Sequence, residues 1–163
     1  MALAMIEAAE ADGRLRPGQL VVEYTSGSTG SSLAFVCAVK GYPLRIVSSD
    51  AFAEEKIRTM RAFGPEVELI PSPEGVTPDL IPSMMSRAAE ITEQTGVFAT
   101  DQFNNTDMVD GYRRLGEELL NQLPGPEIPH RPALLLTRPC RTRDVLSPEE
   151  QHQRLRMRVA EPA

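Results

Sequence analysis

Six consecutive residues, Thr25-Ser26-Gly27-Ser28-Thr29-Gly30, put four hydroxyls and two glycines into one short segment. An apolar strand-like run, Leu20–Tyr24, precedes them, and an apolar helix-like run, Leu33–Val39, follows. A strand that passes through a Gly/Ser/Thr turn into a helix aims backbone N–H groups and hydroxyls at one spot, a receptor for an anion. A carboxylate held there gains about 0.3–1 kcal/mol from the helix dipole, in addition to each charge-assisted hydrogen bond. The segment is not a mononucleotide P-loop, because no Lys-Ser/Thr pair follows Gly30. Nor is it the dinucleotide fingerprint, which needs three glycines in register where Gly27 and Gly30 supply two. A Gly/Ser turn that caps a helix needs no ligand, so the segment alone is open to both readings.

The elements that must position this loop follow from the periodicity. The pattern predicts helices over Ala2–Ala11, Thr29–Val39, Ala53–Phe63, Leu80–Gln94 and Met108–Gln122, and strands over Leu20–Tyr24, Leu44–Ser48, Glu66–Ile70 and Val97–Thr100. A Pro/Gly-rich linker, Pro71–Pro78, separates the third strand from the fourth helix. Strands alternating with helices of ten or so residues predict an α/β fold: a helix–sheet–helix sandwich around a parallel sheet of about four strands. In such a sheet ligands gather at the carboxyl ends of the strands. Both Thr25–Gly30 and Asp101-Gln102-Phe103-Asn104-Asn105 follow predicted strands, so both loops are expected on that edge. The side-chain amide of Gln102 then faces two readings, a ligand donor or a loop amide that satisfies nearby backbone.

Length and charge bound the rest. With 163 residues the chain has room for one domain with an adequate core. A net charge of −6 argues against a nucleic-acid partner. No apolar run is long enough to span a bilayer, and the start Met1–Ile6 lacks the basic residues of a leader and is interrupted by Glu7 and Glu10. Two cysteines, Cys37 and Cys140, make no disulfide framework, so a cytoplasmic location is the default expectation. Two isolated histidines, His130 and His152, suggest no metal site. Charge is unevenly spread: residues 131–163 carry seven arginines against four acids, and no glycine occurs after Gly125. Pro124, Pro126, Pro129 and Pro132 have the composition of a linker, and beyond them the pattern offers only a strand over Ala133–Thr137 and a helix start at Ser147-Pro148.

The loop and its flanks, Glu23–Gly30 with Ser31-Ser32-Leu33-Ala34 and Lys40-Gly41-Tyr42, resemble the Thr-Ser-Gly-Asn-Thr-Gly segment of the cysteine synthase and cystathionine β-synthase family, pyridoxal-phosphate enzymes of fold type II. The resemblance continues through Ala53–Arg58, Met60–Gly64 and Asp101–Asn105, and upstream through Ala4–Ile6 and Ala9–Gly18, so it covers residues 1–122 in order and spacing. It implies that residues 1–123 form the small, substrate-binding domain of such an enzyme and that 124–163 form a divergent tail. It implies that Thr25, Ser26, Gly27, Thr29, Gly30 and Gln102 hold the carboxylate of a small amino acid. Ser28 replaces an Asn that in the family contacts the cofactor ring, and its shorter reach weakens that contact. The family's chemistry is β-replacement or β-elimination on O-acetylserine, serine or cysteine, and full-length relatives are expected to be homodimers.

Pyridoxal phosphate needs a lysine for its Schiff base and a cup for its phosphate. The only lysines are Lys40 and Lys56. Lys40 ends the helix that begins at the loop, about 15 Å away at 1.5 Å per residue. Lys56 reads as a surface residue among Glu54, Glu55 and Arg58. The family lysine would fall about three residues before Met1 by alignment on Met5-Ile6, which predicts that Met1 is an internal methionine of a longer gene. The family's glycine-rich phosphate loop would follow Ala133–Thr137, where Arg138–Arg143 stands, as a shifted reading frame would produce. No catalytic residue is therefore assigned, and the chain is expected to be inactive alone. A non-catalytic domain that binds a small carboxylate or associates with a partner chain is the alternative.

Overall fold

The structure is a computed structural model and describes residues 1–94 and 96–122. The strand expected over Ala133–Thr137, the helix start at Ser147 and the whole tail lie outside the described residues. The element order is α1 (Ala2–Ala11), β1 (Leu20–Tyr24), α2 (Ser28–Lys40), β2 (Leu44–Ser49), α3 (Glu54–Ala62), β3 (Glu66–Ile70), α4 (Leu80–Thr92), β4 (Val97–Ala99) and α5 (Met108–Gln122). Each element matches a sequence expectation, with ends moved by two residues or fewer. The four strands form one parallel sheet in the order β3-β2-β1-β4.

Alternation along the strands divides the core in two. Val21 and Ile46 face a cluster built from Ala2, Met5, Ile6 and Ala9 of α1, Leu33, Ala34 and Cys37 of α2, and Ile57 and Met60 of α3. Val22 and Val47 face the other way, onto Leu80, Met84, Ala88 and Ile91 of α4. The apolar positions of α1 recur at i, i+3, i+4 and i+7, and those of α4 at i, i+4, i+8 and i+11, the spacing of one helix face. Pro82 sits in the first turn of α4, where its missing N–H would have had no helical acceptor anyway. One face of the sheet thus carries several helices and the other carries α4, so β1, in the interior of the sheet, is covered on both sides. The loop after it starts from a strand held on both edges and both faces.

Outside the two clusters, Phe35 and Phe63 meet edge to face with ring centroids 5.6 Å apart on the outer surface of α2 and α3. Both rings are exposed, as is Val39 one turn further along α2. Among the described residues, no helix is long and apolar enough to cross a membrane.

Candidate functional site: a hydroxyl loop at the carboxyl edge of the sheet

β1 ends at Tyr24 and the chain turns through Thr25-Ser26-Gly27 into α2. The Thr25 N–H still donates to Val47 across the sheet (3.0 Å), and its carbonyl accepts from the Ser48 hydroxyl (2.9 Å). The Thr25 hydroxyl in turn accepts from the Gly27 N–H at 3.1 Å, which closes the turn on itself. Gly27 has φ +152° and ψ −65°, a backbone shape that side chains rarely permit. Space forbids a side chain as well, because a Cβ there would lie 2.3 Å from Cδ of Lys56. Gly30 is in ordinary helical geometry but equally crowded: its Cβ would meet Met60 Sδ at 2.4 Å and Thr25 Cγ2 at 2.6 Å. The two glycines therefore serve close approach, one to α3 and one to the loop's own threonine.

The turn leaves donors open. Among the described residues, the N–H groups of Ser26, Ser28, Thr29 and Gly30 have no protein acceptor. Such groups at the start of a helix carry its partial positive charge. Thr25 and Thr29 are buried, whereas Ser26 and Ser28 are exposed.

Gln102 arrives from the adjacent strand. After β4 the chain turns at Asp101, whose φ of 45° is the only left-handed value at a non-glycine among the described residues. Aspartate tolerates this region better than most residues. The turn brings the Gln102 amide over the end of β1, where Nε2 donates to the Tyr24 carbonyl at 3.0 Å and Oε1 accepts from the Thr29 hydroxyl at 2.5 Å. The two loops expected on one edge do share it, and Thr29 and Gln102 are in contact. The Gln102 amide satisfies nearby backbone, as one of its two readings expected, and also accepts from the Thr29 hydroxyl of the loop. Tyr24, Thr25, Ser26, Ser28, Thr29, Ile81, Met84, Gln102 and Phe103 line a pocket of about 130 Å³. That is smaller than the roughly 300–1,000 Å³ usual for a whole ligand. The described residues thus supply one polar wall, backed by the apolar side chains of α4.

Glu23 is the residue the sequence reading did not single out as functional. It is buried at the end of β1, 2% exposed, and its carboxylate accepts three donors. Oε2 takes the Thr100 hydroxyl (2.6 Å) and the Gln102 N–H (3.0 Å), and Oε1 takes the Tyr24 N–H (2.9 Å). Burial pushes its pKa up to about 6, and the three donors oppose that rise only in part. An acidic residue at an inward position of a buried strand was the signal available in the sequence.

The lysines separate. Lys40 lies at the far end of α2, bound by Glu10 (2.8 Å) and Glu7 (3.8 Å), and the Glu10 carboxylate holds its pKa above the usual value. Lys56 is exposed, as expected, but its stem packs on the outer side of Gly27, a contact the sequence did not suggest. Neither lines the pocket. Cys37 is buried in the core, where its thiol pKa is pushed up to about 11 by burial, so it is no nucleophile. Among the described residues, no cluster of His, Cys, Asp or Glu could hold a metal ion.

Residues 1–131 match the family described as "Pyridoxal-phosphate dependent enzyme". Cysteine synthase of Staphylococcus aureus is 38% identical over 129 residues, 78% of this chain and 40% of that protein. Cysteine synthase B of Escherichia coli is 34% identical over 125 residues, 76% of this chain and 40% of that protein. Among solved structures, a hydrogen sulfide-producing enzyme from Fusobacterium nucleatum superposes with a TM-score of 0.68 at 35% identity, covering 76% of this chain and 40% of that one. An O-ureido-L-serine synthase gives 0.66 at 34% identity, covering 74% and 37%. The chain thus spans about 40% of the length of the curated relatives it matches. By the family match over residues 1–131 and by its fold, the chain belongs to the pyridoxal-phosphate-dependent enzyme family.

Proposed function

We propose that residues 1–123 are the substrate-binding domain of a cysteine-synthase-like enzyme and grip the carboxylate of a small amino acid between Thr25–Gly30 and Gln102. The observation that carries this reading is that Ser26, Ser28 and Thr29, whose N–H groups have no protein acceptor, line one pocket wall together with Gln102. Ser26 and Ser28 hydroxyls complete the donor set. The whole enzyme would carry out β-replacement or β-elimination on O-acetylserine, serine or cysteine, and would work as a homodimer in the cytoplasm. Pyridoxal phosphate, when bound, would supply the electron sink for that chemistry.

The donor set suits a carboxylate rather than the complete cofactor. Ser28 offers the ring a single hydroxyl, and neither of the chain's two lysines lines the pocket. No step through the cofactor follows from these residues, and that lack favours a second reading of the chain by itself, as a non-catalytic carboxylate-binding domain. The two readings divide on lysine chemistry. Treatment of the chain with pyridoxal phosphate and borohydride, followed by peptide mapping, is expected to show slow labelling spread over Lys40 and Lys56. Stoichiometric labelling of one of them would restore a catalytic role to this chain alone.

The carboxylate site itself is tested by titration with L-serine, followed through the amide resonances of Ser26, Ser28 and Thr29. Thr29→Val removes the hydroxyl that bonds Gln102 while it keeps the side-chain volume. It is expected to weaken binding by about 0.5–1.5 kcal/mol, the usual net worth of a hydrogen bond between neutral groups, here the one that orients Gln102. Unchanged affinity, or shifts confined to the far edge of the sheet, would remove the site.

A further inference from the structure

We infer that Glu23 is a positioning residue, whose buried carboxylate sets Gln102 in place for the pocket without touching the pocket itself. This rests on the carboxylate-binding reading of the Thr25–Gly30 loop and names a residue on which that site depends.

The argument begins where the sheet stops. β4 pairs with β1 only as far as Ala99 opposite Val22, and Thr100 still donates its N–H to Val22 at 3.1 Å. One residue later the left-handed turn at Asp101 carries the chain away. The Tyr24 N–H then has no strand partner on that side, where the pairing has ended and the Thr100 carbonyl accepts from the Asn105 side chain at 2.8 Å instead. A backbone N–H left bare in a buried place is costly, and the Glu23 side chain takes it. The same carboxylate accepts the Gln102 N–H, so one group spans the end of β1 and the first residue of the loop beyond Asp101. The Gln102 side chain then returns across β1 to the Tyr24 carbonyl and the Thr29 hydroxyl. Gln102 is thus fixed by its backbone to Glu23 and by its amide to Tyr24 and Thr29. Glu23 is absent from the pocket lining, so any effect it has on a ligand passes through Gln102.

A surface carboxylate could not do this, because water would compete for the same donors. Burial removes that competition and leaves three donors on one acceptor group, which orients both of its oxygens. Glutamine keeps only part of the arrangement. Its single oxygen can still accept from Thr100 and Gln102, but its NH2 then faces the Tyr24 N–H, donor against donor.

The test uses the full chain and two readouts. In the unliganded protein, the Gln102 side-chain amide protons are expected to be well resolved and slow to exchange. They should move to free-amide positions in Glu23→Ala and stay close to wild type in Glu23→Gln. The second readout is L-serine affinity in a double-mutant cycle with Gln102→Ala. Glu23→Ala should weaken binding tenfold or more in the wild-type background and by less than twofold when Gln102 is already alanine. Thermal melts identify the variants that fold; if Glu23→Ala does not, Glu23→Met, which keeps the side-chain volume and removes the acceptor, carries the same readouts with the same expected losses. Unaltered Gln102 resonances in folded Glu23→Ala, losses of equal size in both backgrounds, or a Glu23→Gln protein as disturbed as Glu23→Ala would overturn the role assigned to Glu23. Wild-type protein that ignores L-serine while Gln102 responds to Glu23 as described would instead overturn the carboxylate site alone.

Discussion

Gly30→Ala is expected to destabilise the chain by a net of about 1 kcal/mol and to abolish ligand binding at the loop. On helix propensity the sign should be the reverse, since alanine is favoured over glycine inside a helix by about 1 kcal/mol. Gly30 has normal helical backbone, so no conformational reason protects it. The deciding term is space: a methyl group would sit 2.4 Å from Met60 Sδ and 2.6 Å from Thr25 Cγ2. Met60 is a flexible side chain and can yield. Thr25 can move only by giving up the bond that its hydroxyl accepts from the Gly27 N–H, and with it the shape of the turn. The overpacking cost of about 1–3 kcal/mol then exceeds the propensity gain. Urea denaturation of the variant measures the loss. Thr25→Ser in the same background removes the offending methyl and keeps the hydroxyl, so it should return most of the stability and the binding. A Gly30→Ala protein as stable as wild type would mean that α2 and α3 are not packed as described.

Glu23 should make itself felt in the pH dependence of folding. Its carboxyl titrates at about 6 in the folded chain against an ordinary value of 4.5, because burial penalises the charge. A raised carboxyl pKa means that the folded state binds more protons than the unfolded state between these values. Stability through this group therefore rises as pH falls from about 7 to 4.5, by about 2 kcal/mol in all. Other carboxylates act in the opposite direction: Arg87 and Arg45 hold Glu68 below its usual range, and Lys40 and Tyr42 do so for Glu10. Those groups lose their contribution as pH falls, so the wild-type curve mixes both signs. The comparison with Glu23→Gln isolates the one residue. The variant is destabilised at every pH by the clash of donors at Tyr24, and its deficit should grow by about 1 kcal/mol between pH 7.5 and pH 5. Urea midpoints at the two pH values read this directly. A deficit independent of pH would show that Glu23 is not ionised with a raised pKa in the folded chain.

The element order and the parallel sheet were legible in the sequence, because they follow from local periodicity and from the rule that strand–helix–strand units build parallel sheets. The edge shared by the two loops was legible for the same reason, and so was the remoteness of Lys40, since the length of α2 sets it. Three other features depend on chain segments far apart in sequence that meet only on folding. Local pattern shows Gly30 as a weak helix residue, and only Met60 of α3, which closes its other side, leaves an added methyl group no room except against Thr25. Lys56 reads as one more charge on a solvated helix, yet its stem closes over Gly27 from the neighbouring helix. Glu23 reads as an acidic interruption of an apolar strand until Thr100 and Gln102, more than seventy residues away, deliver the donors that make its burial tolerable. Sequence pattern records which face a residue turns toward the core. Contact and charge burial are properties of two or more segments together, and they exist only once the layers have packed.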